Sequence, residues 1–201
     1  MFKKLFVKKQ QEITIVSGLP RSGTSLMMKM LDAGGIQPVQ DGIRTADSDN
    51  PKGYYEFERA KQLDKGDYEW LPSARGKAVK IITALLRHLP SDYEYLVLMM
   101  RRDINEVLAS QTKMLKNRGE DAGADDAIMA DLYTKHLKQT ELWMNTQPNL
   151  KYIDVDYAQL VADPMSQLPQ INQFLGGKLD VEAMMTIADP SLYRNRKTSS
   201  D

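Results

Sequence analysis

The segment Gly18-Leu-Pro-Arg-Ser-Gly-Thr-Ser25 has the residue types and the spacing of a loop that binds a phosphate-like anion. Its two glycines let backbone amides close around an anion at the start of a helix, where the helix dipole also favours negative charge. The spacing matches a nucleotide-binding phosphate loop except that Thr24 stands where a lysine is usual. Arg21 is the cation inside the loop instead. We therefore predict an anion site that lacks part of the machinery for ATP hydrolysis.

The strand predicted at residues 95–100 also lacks the acidic end that holds Mg²⁺ in nucleotide triphosphatases, because Arg101 and Arg102 follow it. This combination favours transfer of a group that carries less charge than a γ-phosphoryl group, without an obligatory metal. A sulfuryl group meets that requirement. Two alternatives stay open, a small-molecule kinase or nucleotide hydrolase with a degenerate loop, and a binding module without catalytic activity.

The loop resembles a known family motif. It is similar to the 5′-phosphosulfate loop of sulfotransferases that use 3′-phosphoadenosine 5′-phosphosulfate (PAPS), whose form is Pro-Lys/Arg-Ser-Gly-Thr-Thr/Ser after the first strand. The resemblance implies PAPS as the donor, with no metal required, and a hydroxyl or amine as the acceptor. It assigns the donor's 5′ end to Pro20, Arg21, Ser22, Gly23, Thr24 and Ser25.

A second family signature is an arginine at a strand end with a serine eight positions later, and Arg102 and Ser110 stand in that relation. The resemblance implies that both contact the donor's 3′-phosphate, which a guanidinium grips in two places. Arg101 alternates to the other side of the strand and is expected to be solvated or ion-paired. Arg194 and Arg196 correspond to a late basic loop with which relatives close the 3′-phosphate site, or they belong to a solvated tail.

Glu56 is the predicted general base, because it ends a segment, Asn50-Pro-Lys-Gly-Tyr-Tyr-Glu56, that resembles one in bacterial members of the family. Many carbohydrate-directed members use a glutamate to take the acceptor's proton. A glutamate that only complements a helix dipole is the alternative for Glu56. Glu58 and His88 are the other candidate bases. Lys80 lies in the second predicted strand, where some members carry a lysine aimed at the sulfuryl group.

Strands are predicted near residues 12–17, 78–82, 95–100 and 151–155, with amphipathic helices between them. The alternation predicts a three-layer α/β fold of the P-loop NTPase type, with a central parallel sheet flanked by helices. We expect one domain over residues 1–201, with a basic extension at 1–11 and a basic, polar tail at 190–201. The longest predicted helix, Asp126 to Met144, should turn these residues inward: Met129, Leu132, Tyr133, His136 and Trp143.

The composition excludes several classes of protein. Lys plus Arg and Asp plus Glu are 27 each, so no overall field attracts nucleic acid. There is no cysteine and only two histidines, which argues against disulfides and against a zinc site. We expect no integral membrane segment, a cytoplasmic location, and a small-molecule, carbohydrate or lipid acceptor. The sequence says nothing about the oligomeric state.

Overall fold

The computed structural model describes residues 11–43, 55–120 and 125–188. Its centre is a sheet of four parallel strands in the order β2-β1-β3-β4. The strands are β1 Ile13–Gly18, β2 Ala78–Lys80, β3 Tyr95–Arg101 and β4 Leu150–Asp156. All four predicted strands are confirmed, although β2 ends at Lys80, two residues earlier than expected.

Helices connect the strands on both faces of the sheet. The α-helices are α1 Thr24–Ala33, α2 Ile104–Asn117, α3 Asp126–Met144, α4 Tyr157–Ala162, α5 Leu168–Phe174 and α6 Val181–Met185. Four 3-10 segments lie at Glu58–Lys65, Leu71–Ala74, Thr83–His88 and Pro164–Ser166. Within the described residues, no helix is both long enough and apolar enough to cross a bilayer.

Two apolar clusters form the core, one on each face of the sheet. Alternation along β1 divides its side chains, so that Val16 faces one cluster while Ile13 and Ile15 face the other. The first cluster joins the sheet to α1, α4, α5 and α6. The second joins it to the end of α3, where Met144 is buried, and to three 3-10 segments, Glu58–Lys65, Leu71–Ala74 and Thr83–His88. The predicted three-layer P-loop-type fold is therefore confirmed.

The sheet order creates a crevice at one particular place. From β1 the chain crosses to β2 at one side, and from β3 it crosses to β4 at the other. Such a reversal opens a crevice at the carboxyl ends of the two strands, where parallel α/β folds bind ligands. In the register, Gly18 lies opposite Met100. The segment after β1 and the arginine after β3 are thus brought to the same crevice.

One predicted helix face is wrong in part. Leu132 of α3 was assigned to the inner face, but its side chain is 52% exposed. Only Thr140 and Met144 of this helix are buried, since α3 packs on the sheet mainly through its last turns. Tyr133, His136 and Trp143 are half-buried.

Candidate active site

The loop at residues 18–23, which we call the anion loop, is folded tightly enough to require glycine at both ends. A Cβ on Gly18 would overlap the Ser22 hydroxyl and lie 3.0 Å from the Met100 carbonyl oxygen. Gly23 has φ of 99°, in the left-handed region, and a Cβ there would overlap the ring of Tyr157. The glycine spacing seen in the sequence therefore follows from contacts with β3 and with the start of α4.

The start of α1 differs from the starts of most other helices in this protein. α2, α3, α4 and α6 each follow an aspartate whose carboxylate accepts a hydrogen bond from a first-turn amide. α1 follows Gly23, with no side-chain cap and no acidic residue in its first turn. Because first-turn amides have no acceptor within their own helix, this end can bind an anion from outside.

Arg21 and Ser110, predicted from separate motifs, contact each other. Arg21 has φ of 70°, which is uncommon for a residue with a side chain. Its Nε donates a hydrogen bond of 3.0 Å to Oγ of Ser110, a buried residue of α2. The structure thus brings the cation of the anion loop to the hydroxyl that follows β3.

Arg102 points toward the anion loop, whose backbone it contacts. One terminal nitrogen donates to the Arg21 carbonyl oxygen at 2.9 Å, and Nε donates to Glu106 at 3.1 Å. Its guanidinium carbon lies 4.6 Å from the centre of the Tyr157 ring. Arg101 turns to the other side and pairs with Asp154 and Glu141, which confirms the expected ion pairing.

Two buried hydroxyls lie at the end of β1 and in the anion loop. The Oγ atoms of Ser17 and Ser22 have no hydrogen-bond partner within the part of the chain that the structure describes. Buried polar atoms without a partner are rare in folded proteins, and functional sites are among the places where they occur. Ser22, next to the uncapped start of α1, fits a loop that holds an anion.

Glu56 lies on the β2 side of the same edge, where lysines surround it. Lys80, at the end of β2, is 3.4 Å from Oε1 of Glu56 and 3.5 Å from Oγ of Ser25. Lys61 donates to Oε2 of Glu56 at 2.8 Å and to Glu58 at 2.6 Å. Burial lowers the pKa of Lys61, but its hydrogen bonds to Glu56 and Glu58 outweigh this and the pKa is raised overall.

Two aspartates hydrogen-bond the residues around Glu56, Asp41 through the backbone of Glu56 and Glu58 and Asp32 through the side chain of Tyr55. The Asp41 amide donates to the Glu56 carbonyl at 3.3 Å, and its carboxylate accepts from the Glu58 amide at 2.6 Å. Tyr55 has φ of 51°, and its hydroxyl donates to Asp32 of α1 at 3.4 Å. Burial, together with the charge of Asp32, raises the pKa of Tyr55.

The predicted residues of the anion loop, Arg102 and Ser110 are therefore brought together, and Lys80 connects Glu56 to Ser25. Glu58 contacts Lys61, and His88 ends the 3-10 segment Thr83–His88. Arg194 and Arg196 lie outside the described residues, as does most of the segment that precedes Glu56.

Sequence reasoning missed two residues of the site. Tyr157 was given no role, and its packing on Gly23 and Arg102 has no local signal in the sequence. Lys61 was not considered. The signal that could have found it was its position five residues after Glu56 and three after Glu58.

A parallel sheet with a glycine-rich loop at its crevice places the chain in the class of P-loop-type α/β proteins. A profile described as the sulfotransferase family matches residues 57–180, more than half of the chain. The chain therefore belongs to the sulfotransferase family, as the motifs predicted. The match includes Lys80, Arg102, Ser110 and Tyr157, and it begins just after Glu56.

Three solved structures share the fold. The sulfotransferase domain of the Synechococcus olefin synthase has a TM-score of 0.57 at 15% identity, over 100% of this chain and 94% of that one. Sulfotransferase STF1 from Mycobacterium tuberculosis has a TM-score of 0.57 at 17% identity, over 92% of this chain and 73% of that one. The sulfotransferase domain from the curacin biosynthetic pathway has a TM-score of 0.51 at 17% identity, over 89% of this chain and 78% of that one. None of the curated proteins compared with the chain matches it significantly.

Proposed function

We propose that this protein transfers a sulfuryl group from PAPS to the hydroxyl or amine of a small-molecule, carbohydrate or lipid acceptor. The observation that carries the proposal is the start of α1, which has no side-chain cap and lies beside Arg21 and the unpaired Ser22 hydroxyl. Membership of the sulfotransferase family supports the sulfuryl group over a phosphoryl group. PAPS is the substrate that supplies the sulfuryl group, which it carries on its 5′-phosphate.

On the donor side, the amides of residues 22–25 would bind the 5′-phosphosulfate, since they lie at the positive end of α1. Arg21 would stabilise the negative charge that develops on the leaving phosphate oxygen. Arg102 and Ser110 would contact the 3′-phosphate, at the crevice between β1 and β3. Lys80 would face the sulfuryl oxygens, because it already lies 3.5 Å from Ser25 Oγ.

On the acceptor side, Glu56 would act as the general base. The acceptor oxygen or nitrogen forms a bond to sulfur while the bond from sulfur to the bridging phosphate oxygen breaks. The bridging oxygen keeps the electron pair of the broken bond. The acceptor's proton passes to the Glu56 carboxylate. The products are the sulfated acceptor and adenosine 3′,5′-bisphosphate, so atoms and charge balance without a metal or a redox partner.

Arg21→Ala and Glu56→Gln test these two roles. Removing a preorganised charge typically costs about 3 kcal/mol in the barrier, so Arg21→Ala should lower kcat by about a hundredfold. Glu56→Gln should lower kcat by about a hundredfold or more, as loss of a general base does. The measurement is release of adenosine 3′,5′-bisphosphate from PAPS, with water or with a panel of a phenol, a primary alcohol, a sugar and an amine as acceptor.

Arg59→Ala is the matched control, since Arg59 lies on the surface in a pair with Asp67 and Glu69. We expect that variant to keep the wild-type rate. If Arg21→Ala also keeps it, the assignment of the anion loop to the donor is wrong. ATP turnover that depends on Mg²⁺, without release of the bisphosphate from PAPS, would support a nucleotide hydrolase instead.

A further inference from the structure

The Glu56 carboxylate has a different lysine at each of its oxygens. Lys80 lies 3.4 Å from Oε1, and Lys61 donates to Oε2 at 2.8 Å. The Glu56 side chain is 11% exposed, and Lys80 links it to Ser25 at the start of α1. The two oxygens of the proposed base are therefore held by cations that come from separate elements, β2 and the 3-10 segment Glu58–Lys65.

The two lysines have different second partners. Lys80 is 12% exposed and also contacts Oγ of Ser25, at the start of α1 where the donor's anion would bind. Lys61 is 47% exposed, and its second partner is Glu58, on its own 3-10 segment. An anion on the anion loop would attract the Lys80 ammonium strongly, since charges interact over this distance in a partly buried site. Among the described residues, the side-chain partners of Lys61 are the two carboxylates of Glu56 and Glu58.

We propose that Lys61 is a positioning residue for Glu56, which rests on the proposed function of Glu56 as the base. Lys61 holds Oε2 in place while Lys80 is shared with the bound donor, so that Oε1 stays directed toward the anion loop. Oε1 is then the oxygen that takes the acceptor's proton. Glu58 keeps the Lys61 ammonium at the right position by accepting its second hydrogen bond.

The variant that tests the proposal is Lys61→Met, which keeps an unbranched side chain of similar length and removes the ammonium group. A displaced base costs rate but not donor binding, so kcat should fall by about tenfold. The Kd of adenosine 3′,5′-bisphosphate and the KM of PAPS should stay within about twofold of wild type, since Lys61 is not placed against the donor. The rate is read as bisphosphate release from PAPS, with water and with the acceptor panel.

Two further variants control for general damage. Lys61→Arg keeps a cation that can contact two carboxylates, and it should recover kcat to within about threefold of wild type. Lys65→Met removes an exposed lysine one turn later on the same segment, where its partner is Gln62, and should leave kcat unchanged. Equal losses in Lys61→Met and Lys65→Met, or a wild-type kcat in Lys61→Met, would overturn the positioning role.

A double variant separates this proposal from the proposed function. Lys61→Met added to Glu56→Gln should cause no further loss, because Lys61 acts through Glu56. If Glu56→Gln itself keeps the wild-type rate, or the wild-type protein releases no bisphosphate, the base assignment fails and the role of Lys61 fails with it. If Glu56→Gln loses activity and Lys61→Met does not, only the positioning role is overturned.

Discussion

The two sides of the candidate site are held by different kinds of interaction. On the donor side, Arg102 and Glu106 form an ion pair with side chains 7% and 6% exposed, and Arg102 also bonds the backbone of the anion loop. On the acceptor side, Glu56 is held by Lys80, whose side chain is 12% exposed, and by Lys61, whose side chain is about half exposed. The anion loop is also fixed by packing of Tyr157, while β2, beside Glu56, is an edge strand of three residues.

This difference separates residues that should mainly affect the free energy of unfolding from residues that should mainly affect the reaction rate. Buried charges and close packing make the donor side part of the core, so changes there should lower the free energy of unfolding. Ion pairs with an exposed partner contribute little to stability, so changes at Lys61 should alter the reaction and leave the fold intact. Variants on the two sides of the site should therefore differ in their effect on stability.

The largest effect on stability is expected from Arg102→Met. The change leaves the Glu106 carboxylate buried without this cation, and breaking a buried pair in this way typically costs about 3–5 kcal/mol. Arg101→Met is the matched control, because its partners Asp154 and Glu141 are exposed and such pairs contribute about 0–1 kcal/mol. Urea unfolding of both variants measures the difference. Equal losses for the two neighbouring arginines would contradict the contrast.

A smaller effect is expected from Gly23→Ala, which tests the shape of the anion loop. Gly23 and Gly35 have nearly the same φ, 99° and 100°, but only at Gly23 would a Cβ meet another residue, Tyr157. Backbone strain of this kind costs about 1–3 kcal/mol, so both alanine variants should lose stability. Gly23→Ala should lose more and should also weaken binding of adenosine 3′,5′-bisphosphate. Equal losses of stability and unchanged binding would show that the Tyr157 contact does not shape the loop.

Much of the fold could be predicted because its signals are local. The β-branched run at β1, the glycines of the anion loop and the aspartate before α2 each act within a few residues of the chain. The wrong inward assignment of Leu132 has a physical cause as well. A helical repeat shows which residues share a face, but not which turns of the helix meet the sheet.

The site could be predicted only where a motif spans it. Arg21 and Ser110 are 89 positions apart in the sequence, and each was found through its own motif. The Tyr157 ring lies beside Gly23 because β1 and β4 end at the same edge of the folded sheet. No pattern in the sequence indicates that these two residues are in contact. The lysines around Glu56 likewise depend on how the 3-10 segment Glu58–Lys65 lies beside β2.

The central claim is that the anion loop and the Arg102–Ser110 pair bind the two ends of one adenosine bisphosphate. Titration calorimetry at constant salt tests it most directly, comparing adenosine 3′,5′-bisphosphate, adenosine 5′-monophosphate and ATP with Mg²⁺. The 3′-phosphate should tighten binding by about tenfold or more over the monophosphate, and Ser110→Ala should reduce that advantage. Equal affinity for the bisphosphate and the monophosphate, or tighter binding of ATP with Mg²⁺, would contradict the claim.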